Sequence, residues 1–398
     1  MKYVVIASIV SMNLFIVLSG LMKQFFRIPI EVLYYPSQVL IAVVTGLFVL
    51  VQMFKTKKVP LGLLLLLATL VLIYSSYFFS PHADEKLAKN TIIFFSLWCV
   101  SASICGIYIK EIEKAKVIKF FKFIFFLFSF TFLVVILIPY ILGLLPSYIL
   151  FGLMNYQNAS YLASFTVGIG LYLLLENVIK KTWVYYSLIL LTIPSVFIPG
   201  GRGGAILLIL YFILYIIIIT FRKNVNAFIK LFIYVIGLAS FVTLVYYIVT
   251  SAGESRTFQY ITSNGIDIQN GSSGRAPIYQ MSTYFICQRP IFGYGPFNYY
   301  HLIHNIPHNI ILELLLSFGI VGLMTILILL IITTINFIKN YDANSIDLLV
   351  VFIVVYPLTL LMFSTNYLVV SELWFVMFYM ITKRKRLNNY GKKELHNR

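Results

Sequence analysis

Long apolar runs separated by short polar breaks make up most of the chain. A typical run, LGLLLLLATLVLIYSSYFF at 61–79, does not alternate, whereas a membrane β-barrel strand alternates in period two over about ten residues. An α-helix needs about 20 apolar residues to cross a hydrocarbon core about 30 Å thick. The runs therefore predict an all-α polytopic membrane protein.

Counting the runs predicts about 12 transmembrane helices, with one long extracytoplasmic loop between helices 9 and 10. This division assigns helices 1–9 to residues 1–250 and the loop, with short helices, to 251–308. Helices 10–12 follow at 309–382, and a basic cytoplasmic tail at 383–398. The predicted spans are 3–21, 33–53, 60–79, 91–109, 119–142, 159–177, 183–199, 204–221, 229–250, 309–338, 346–364 and 367–382.

Composition agrees with a membrane protein, and charge gives it an orientation. Charged residues make up 11% of the chain, against about 25% in soluble domains. The net charge of +17 comes from 30 Lys and Arg residues, of which 22 fall on one predicted side and eight on the other. Because Lys and Arg gather in cytoplasmic loops, both termini are expected in the cytoplasm and the long loop outside. Nucleic acid is not expected as a partner.

The turn PGGRGGA at 199–205 carries the first candidate for chemistry, Arg202. Glycines let the backbone bend and let a ligand approach, and an arginine held there is suited to bidentate phosphate binding. The alternative is an interfacial arginine whose charged end reaches water. Arg275, in GSSGRAPIYQ at 271–280, has a similar alternative as an ordinary loop residue.

Three of the five histidines lie in HLIHNIPHN at 301–309. Their spacing would suit a metal cluster on one continuous helix, but Pro307 opposes a helix running through them. The interpretation that we favour places His301 and His304 in the loop and His308 at the start of the tenth span. There the helix dipole is expected to lower the pKa of His308 and keep its imidazole available as a base.

The tenth span contains further unusual residues. Glu313 lies one turn inside it, where an ionisable side chain suggests function, and Gly319 and Gly322 are expected to allow close helix packing. Glu372, in the twelfth span, is interpreted as a polar residue near the interface.

These motifs together resemble the O-antigen ligase and polymerase superfamily. His308-Asn309 followed by Gly319 and Gly322 fits its signature H-[NSQ]-x9-G-x-x-[GTY]. Upstream, SSGRAPIYQMSTYFICQRPIFGYGPFNYY is similar to its run of an arginine, an aromatic helix and a glycine turn. PGGRGGAILL resembles its arginine-containing turn, although Gly201 and Ile206 stand where its ligases usually have Ser and Leu.

The resemblance implies inverting, metal-independent glycosyl transfer from an undecaprenyl-pyrophosphate-linked oligosaccharide, without a cofactor, in a bacterial cell membrane. His308, Arg202 and Arg275 would be the catalytic residues. The partners implied are the glycan donor, a glycan or lipid A-core acceptor, membrane lipids and a possible chain-length regulator. The expected substrate contacts are Asn309, Glu313, His304, Tyr279 and Asn158.

Several functions remain open on these residues. The leading one is polymerisation of repeat units into O-antigen or capsular polysaccharide, and the second is ligation of finished glycan to lipid A-core or to protein. A flippase for the same lipid-linked glycan would need polar groups along a path through the spans, but the polar groups here collect on one face. A metal-dependent hydrolase would use the three histidines of 301–308 together.

Overall fold

The computed structural model describes residues 1–146, 148–176, 182–221, 261–262, 265–266 and 275–383. Within them the chain is almost entirely helical. We label the helices α1 Lys2–Gln24, α2 Glu31–Thr56, α3 Leu61–Phe78, α4 Lys86–Glu111, α5 Lys114–Ile141, α6 Tyr156–Leu175, α7 Thr182–Phe197, α8 Arg202–Phe221, α9 Ala276–Gln288, α10 Tyr299–Ile303, α11 Ile310–Lys339, α12 Asp347–Phe363 and α13 Ser371–Thr382.

Eight of these helices are long and apolar enough to cross a membrane, and α7, α12 and α13 are shorter apolar helices. Each coincides with a predicted span, so the all-α polytopic interpretation is confirmed for the part of the chain that the structure describes. The ninth predicted span, 229–250, lies outside the described residues, as do most of 251–274 and the tail from 384. The total of twelve and the placement of the long loop therefore stay predictions.

The strands are short. β1 Leu150–Phe151 pairs antiparallel with β2 Met154–Asn155, with Phe151 opposite Met154. This hairpin leads into α6, whose first turn is capped by the Asn155 side chain accepting the backbone N–H of Asn158 at 2.8 Å. A second pair, β3 Ile261–Thr262 and β4 Gly265–Ile266, lies in the predicted loop.

Helix α6 forms the centre of the bundle and is buried over almost its whole length. Two glycines let the neighbouring helices pack closely against it. A Cβ added at Gly168 would overlap the ring of Tyr211 in α8, and a Cβ added at Gly170 would lie 2.6 Å from Phe125 in α5. Small residues serve this purpose in membrane helices, where apolar burial gives no preference for protein over lipid. By contrast α2, α3 and α11 expose most of their apolar side chains, as lipid-facing helices do.

Polar contacts define two ends of the bundle. At one end Lys383 pairs with the buried Asp347 at 2.7 Å, and Lys114 pairs with Glu176 at 2.8 Å; we call this the lysine end. At the other, where α4, α6, α8 and α11 begin, the Ser80 hydroxyl donates to Asn298 Oδ1 at 2.5 Å. We call this the site end.

Helix α11 is broken inside the bundle. Gly319 has φ 63° and ψ −167°, outside the helical region, and the segment 290–295 packs against the break. Its backbone replaces the helical partners that are lost there. The hydrogen bonds are Tyr294 N to Leu316 O at 2.7 Å, Gly295 N to Ser317 O at 2.8 Å, Ile320 N to Pro290 O at 2.8 Å and Val321 N to Ile291 O at 3.2 Å.

Close helix packing was the expected role of Gly319, and the structure gives it a different one. A Cβ at this position would overlap the carbonyl group of Ile291. Irregular backbone at membrane depth is tolerated where protein covers it and satisfies its polar groups. Gly319 therefore serves as the breakpoint that accepts the 290–295 segment.

Candidate functional site

The glycines around Arg202 bring the start of α8 against α6. The Ser160 hydroxyl in α6 lies 2.7 Å from the carbonyl oxygens of both Val196 and Gly201, and Ser164 donates to Gly204 O at 2.7 Å. A Cβ at Gly201 would lie 2.5 Å from the Ser160 Cβ, so a larger residue would push the turn away. The turn is thus fixed on the first three turns of α6.

A cavity of about 140 Å³ opens beside this turn. It is smaller than a typical small-molecule pocket of roughly 300–1,000 Å³, and it suits a charged group rather than a whole glycan. Both candidate arginines line it, although they are 73 positions apart in the chain. The other side chains of its wall come from α6, α8 and the end of α12: Tyr156, Gln157, Tyr161, Ile206 and Phe363.

Arg275 reaches this cavity from the start of α9. It is the residue before Ala276, and its carbonyl oxygen accepts the backbone N–H of Tyr279 at 2.9 Å. Its positive charge acts on another group of the site, because it lowers the pKa of His308. Arg275 therefore links the cavity electrostatically to His308.

His308 is half-buried and has φ 53°, a left-handed conformation that few non-glycine residues adopt. Its Nδ1 lies 2.9 Å from the carbonyl oxygen of Ser364. A carbonyl oxygen only accepts, so Nδ1 must carry the proton in this bond. In the neutral ring Nε2 then holds the lone pair.

The pKa of His308 is lowered, first by burial and also by the charge of Arg275, while the bond to Ser364 works in the opposite direction. The direction agrees with the sequence-based expectation, but the main cause differs. The expectation relied on the dipole of a helix starting at His308, whereas α11 starts at Ile310 with Asn309 as its cap.

Asn309 and Glu313 have structural partners. The Asn309 side-chain oxygen accepts the backbone N–H groups of Ile311 and Leu312 at 3.0 and 3.2 Å. Glu313 is 1% exposed and accepts the hydroxyl of Tyr299 at 2.6 Å. Burial and the neighbouring Glu313 raise the pKa of Tyr299 well above its ordinary value, which keeps it a donor.

The same network continues to the neighbouring helices. Tyr300 is hydrogen-bonded to Asn366, just before α13, and its hydroxyl lies 3.2 Å from that of Thr91 in α4. Helix α10 is thus tied to α4, α11 and the approach to α13. This fixes the chain that leads into His308.

The structure places the remaining predicted contacts away from the cavity wall. His304 is exposed with φ 49°, and Tyr279 and Asn158 are half-buried on α9 and α6. Their roles as substrate contacts, like those of Asn309 and Glu313, stay predictions. His301 lies in the short helix α10, within the segment predicted as a loop with short helices.

Sequence reasoning missed four residues of the site: Tyr156, Tyr161, Phe363 and Ser364. Tyr161 and Phe363 are indistinguishable from ordinary span residues in the sequence, and Ser364 acts through its backbone. Tyr156 had a weak signal, since it lies in the polar stretch NYQN that opens α6.

Residues 188–327 match the O-antigen ligase family. The match includes Arg202, Arg275, His308, Gly319 and Gly322. Over these residues the chain is similar to the O-antigen ligase and polymerase superfamily, and the match supports the resemblance that its motifs indicated. No curated protein and no solved structure matches the chain.

The family match and the apolar helices together indicate a coarse function. The chain is a multi-pass bacterial membrane protein with an activity of the O-antigen ligase or polymerase type. Lipid-linked glycan and an acceptor are the substrates that such an activity implies.

Proposed function

We propose that this protein polymerises undecaprenyl-pyrophosphate-linked oligosaccharide repeat units by direct glycosyl transfer. The observation that carries the proposal is the convergence of Arg202 and Arg275 on one small cavity, with His308 within electrostatic reach of Arg275. This arrangement supplies two cations for a leaving group and one base for an acceptor. It requires no nucleotide and no cofactor.

The two arginines suit a pyrophosphate that leaves. As the bond between the sugar C1 and the phosphate oxygen breaks, negative charge grows on that oxygen, and fixed donors in a partly dry site stabilise such charge. Guanidinium groups bind phosphate oxygens in pairs of hydrogen bonds. The start of the 20-residue helix α8 adds backbone N–H groups beside Arg202, which favour an anion.

His308 suits the acceptor side of the same reaction. Its Nε2 lone pair takes the proton of the acceptor hydroxyl while the hydroxyl oxygen bonds to C1 and the lipid-linked pyrophosphate departs with the bonding electrons. The ring then carries one positive charge, which it loses to solvent. A base with a lowered pKa is neutral at pH 7 and ready for this step.

The orientation of the protein belongs to the same proposal. Of 30 Lys and Arg residues, 22 fall on the side of the predicted inner loops, and the lysine end carries Lys110, Lys114 and Lys383. We place that end in the cytoplasm and the site end outside. The lipid tail of the donor would then lie against the exposed apolar helices while its pyrophosphate enters the cavity.

The test is glycosyl transfer by purified protein in liposomes supplied with lipid-linked repeat units. His308→Ala is expected to lower the rate by about 10²–10⁴-fold, the usual contribution of a general base. Arg202→Lys is expected to lose at least about tenfold, since one point charge cannot replace a two-pronged donor. The matched control is Arg27→Lys, because Arg27 is exposed and does not line the cavity. This variant should transfer glycan at the wild-type rate.

Product analysis separates the alternatives. A ladder of repeat-unit lengths supports polymerisation, whereas a single addition to lipid A-core or to protein supports ligation. Movement of labelled donor across the bilayer without new glycosidic bonds would support a flippase and contradict the proposal. Normal chain lengths from His308→Ala would remove its role as base. A chain-length regulator is tested by adding one and comparing the ladders.

A further inference from the structure

A second cluster of polar side chains lies at the site end, apart from the cavity. It joins the turn between α3 and α4 to helix α10 through His82, Glu85 and His301. One ligand atom from each lies within 4.8 Å of the others. None of the three lines the cavity that holds Arg202 and Arg275.

The distances approach those around a bound metal ion. His301 Nδ1 lies 3.2 Å from Glu85 Oε1, and two ligand atoms on one tetrahedral zinc ion lie about 3.3 Å apart, given bonds of about 2.0–2.1 Å. The rings of His82 and His301 stack with centroids 4.1 Å apart and planes 5° apart. Because parallel rings hold their nitrogen lone pairs in parallel planes, the His82 ring would have to rotate for both imidazoles to bind one ion. The side chains of Glu85 and His301 are 39% and 49% exposed, which leaves room for this rotation.

The backbone that carries these side chains is anchored. Ser80 Oγ accepts the backbone N–H of His82 at 3.2 Å and donates to Asn298, just before α10. The backbone N–H of Glu85 donates to His82 O at 3.2 Å. The neighbouring carboxylate, Asp84, is paired with Lys89 at 2.9 Å, so Glu85 is the acid directed at the histidines.

We propose that His82, Glu85 and His301 bind one divalent transition-metal ion of the zinc class, with water in the remaining position. Two imidazoles and one carboxylate favour zinc over magnesium or calcium, which prefer all-oxygen sites. The ion would bind the α3–α4 turn to the helix that leads into His308. It would hold this segment in place and take no part in glycosyl transfer.

The experiment uses the full-length protein in detergent, with any affinity tag removed. Zinc binding is measured by calorimetry. In a separate sample cobalt replaces zinc, and its visible absorption reports whether nitrogen and oxygen ligands surround the ion. One saturable ion per chain is expected. Because losing even a residue that only orients a metal ligand costs about 10–100-fold in affinity, His82→Ala, Glu85→Gln and His301→Ala should each lose at least about tenfold. Zinc should also raise the melting temperature of the wild type, but not that of His301→Ala.

Asp84→Asn is the matched control, since it removes a carboxylate from the same turn but not from the cluster. It should keep its zinc affinity. The proposal is overturned if the wild type shows no saturable zinc binding, or if the three variants bind as the wild type does. Arg202→Lys should lose glycosyl-transfer activity but keep its affinity for zinc. The zinc measurement can therefore fail without the glycosyl-transfer proposal failing, and the reverse also holds.

Discussion

At the scale of single residues, His308 is defined by its surroundings more than by its position in the sequence. A left-handed backbone conformation turns the residue, the Ser364 carbonyl fixes its tautomer, and burial with Arg275 lowers its pKa. The Ser364 bond leaves the lone pair of the neutral ring on Nε2, and burial and Arg275 outweigh the opposite effect of that bond on the pKa. These features make the pH dependence of transfer a test of the role of His308.

We expect kcat/KM for transfer to be constant near pH 7 and to fall on acidification below the ordinary histidine pKa of about 6.5. The sign follows from the shift: a lowered pKa means that the inactive, protonated ring forms only at lower pH. Arg275→Gln removes a cation that lowers this pKa, so its residual activity should begin to fall at higher pH than that of the wild type. The pH–rate profile of each protein, measured in liposomes, gives the result.

Arg27→Gln is the control for that profile, because it removes an exposed positive charge at the site end and should leave the acid limb in place. If Arg275→Gln and the wild type lose activity at the same pH, then Arg275 does not influence the base, or His308 is not the titrating group. The residual activity of His308→Ala should not show this fall on acidification.

At the scale of elements, the break in α11 is packed against the segment that joins two parts of the site. Its φ and ψ at Gly319 fall in a region that is essentially restricted to glycine. The segment 290–295 that covers the break connects α9, which begins after Arg275, to α10, which leads to His308. The geometry of one glycine therefore bears on the spacing between two of the proposed catalytic residues.

Gly319→Ala is expected to cost about 1–3 kcal/mol of stability, from backbone strain and from overlap with the Ile291 carbonyl. Glycosyl transfer should fall as well, because the 290–295 segment must shift. Gly46→Ala is the matched control: Gly46 lies within α2 and a Cβ there meets nothing within 4 Å, so alanine should be neutral or stabilising by up to about 1 kcal/mol. Denaturation in detergent measures both, and equal midpoints for the two variants would show that the break carries no strain.

The elements also show what a sequence can and cannot predict here. Apolar runs predicted the spans well, because length and composition alone decide which segments cross a bilayer. The break at Gly319 could not be predicted, since glycine is used both for helix packing and for left-handed breaks, and only the segment beside it decides between them. Likewise Arg202 and Arg275 were singled out by their motifs, but Tyr161 and Ser364 join the site only through tertiary contacts.

At the scale of the whole molecule, the Lys and Arg residues divide unevenly, with 22 of 30 on the predicted inner side, and this difference underlies the proposed orientation. The lysine end holds Lys110, Lys114 and Lys383. The site end holds the cavity and His308. If the site end faces outward, it takes its lipid-linked substrate from the outer leaflet. This orientation can be tested without measuring glycosyl transfer.

The chain provides a clean background for such a test, since Cys99 and Cys105 are buried and only Cys287 is exposed. In a Cys287→Ser background, Asp84→Cys places a thiol at the site end, where the Asp84 side chain is 99% exposed. Asn344→Cys places one in the exposed turn before α12, at the lysine end. We expect a membrane-impermeant maleimide to label Asp84→Cys in intact cells, and Asn344→Cys only after the membrane is opened. The parent protein, Cys287→Ser alone, should stay unlabelled in both conditions. Labelling of Asn344→Cys in intact cells, with Asp84→Cys labelled only after the membrane is opened, would place the arginine cavity in the cytoplasm and contradict the proposed orientation.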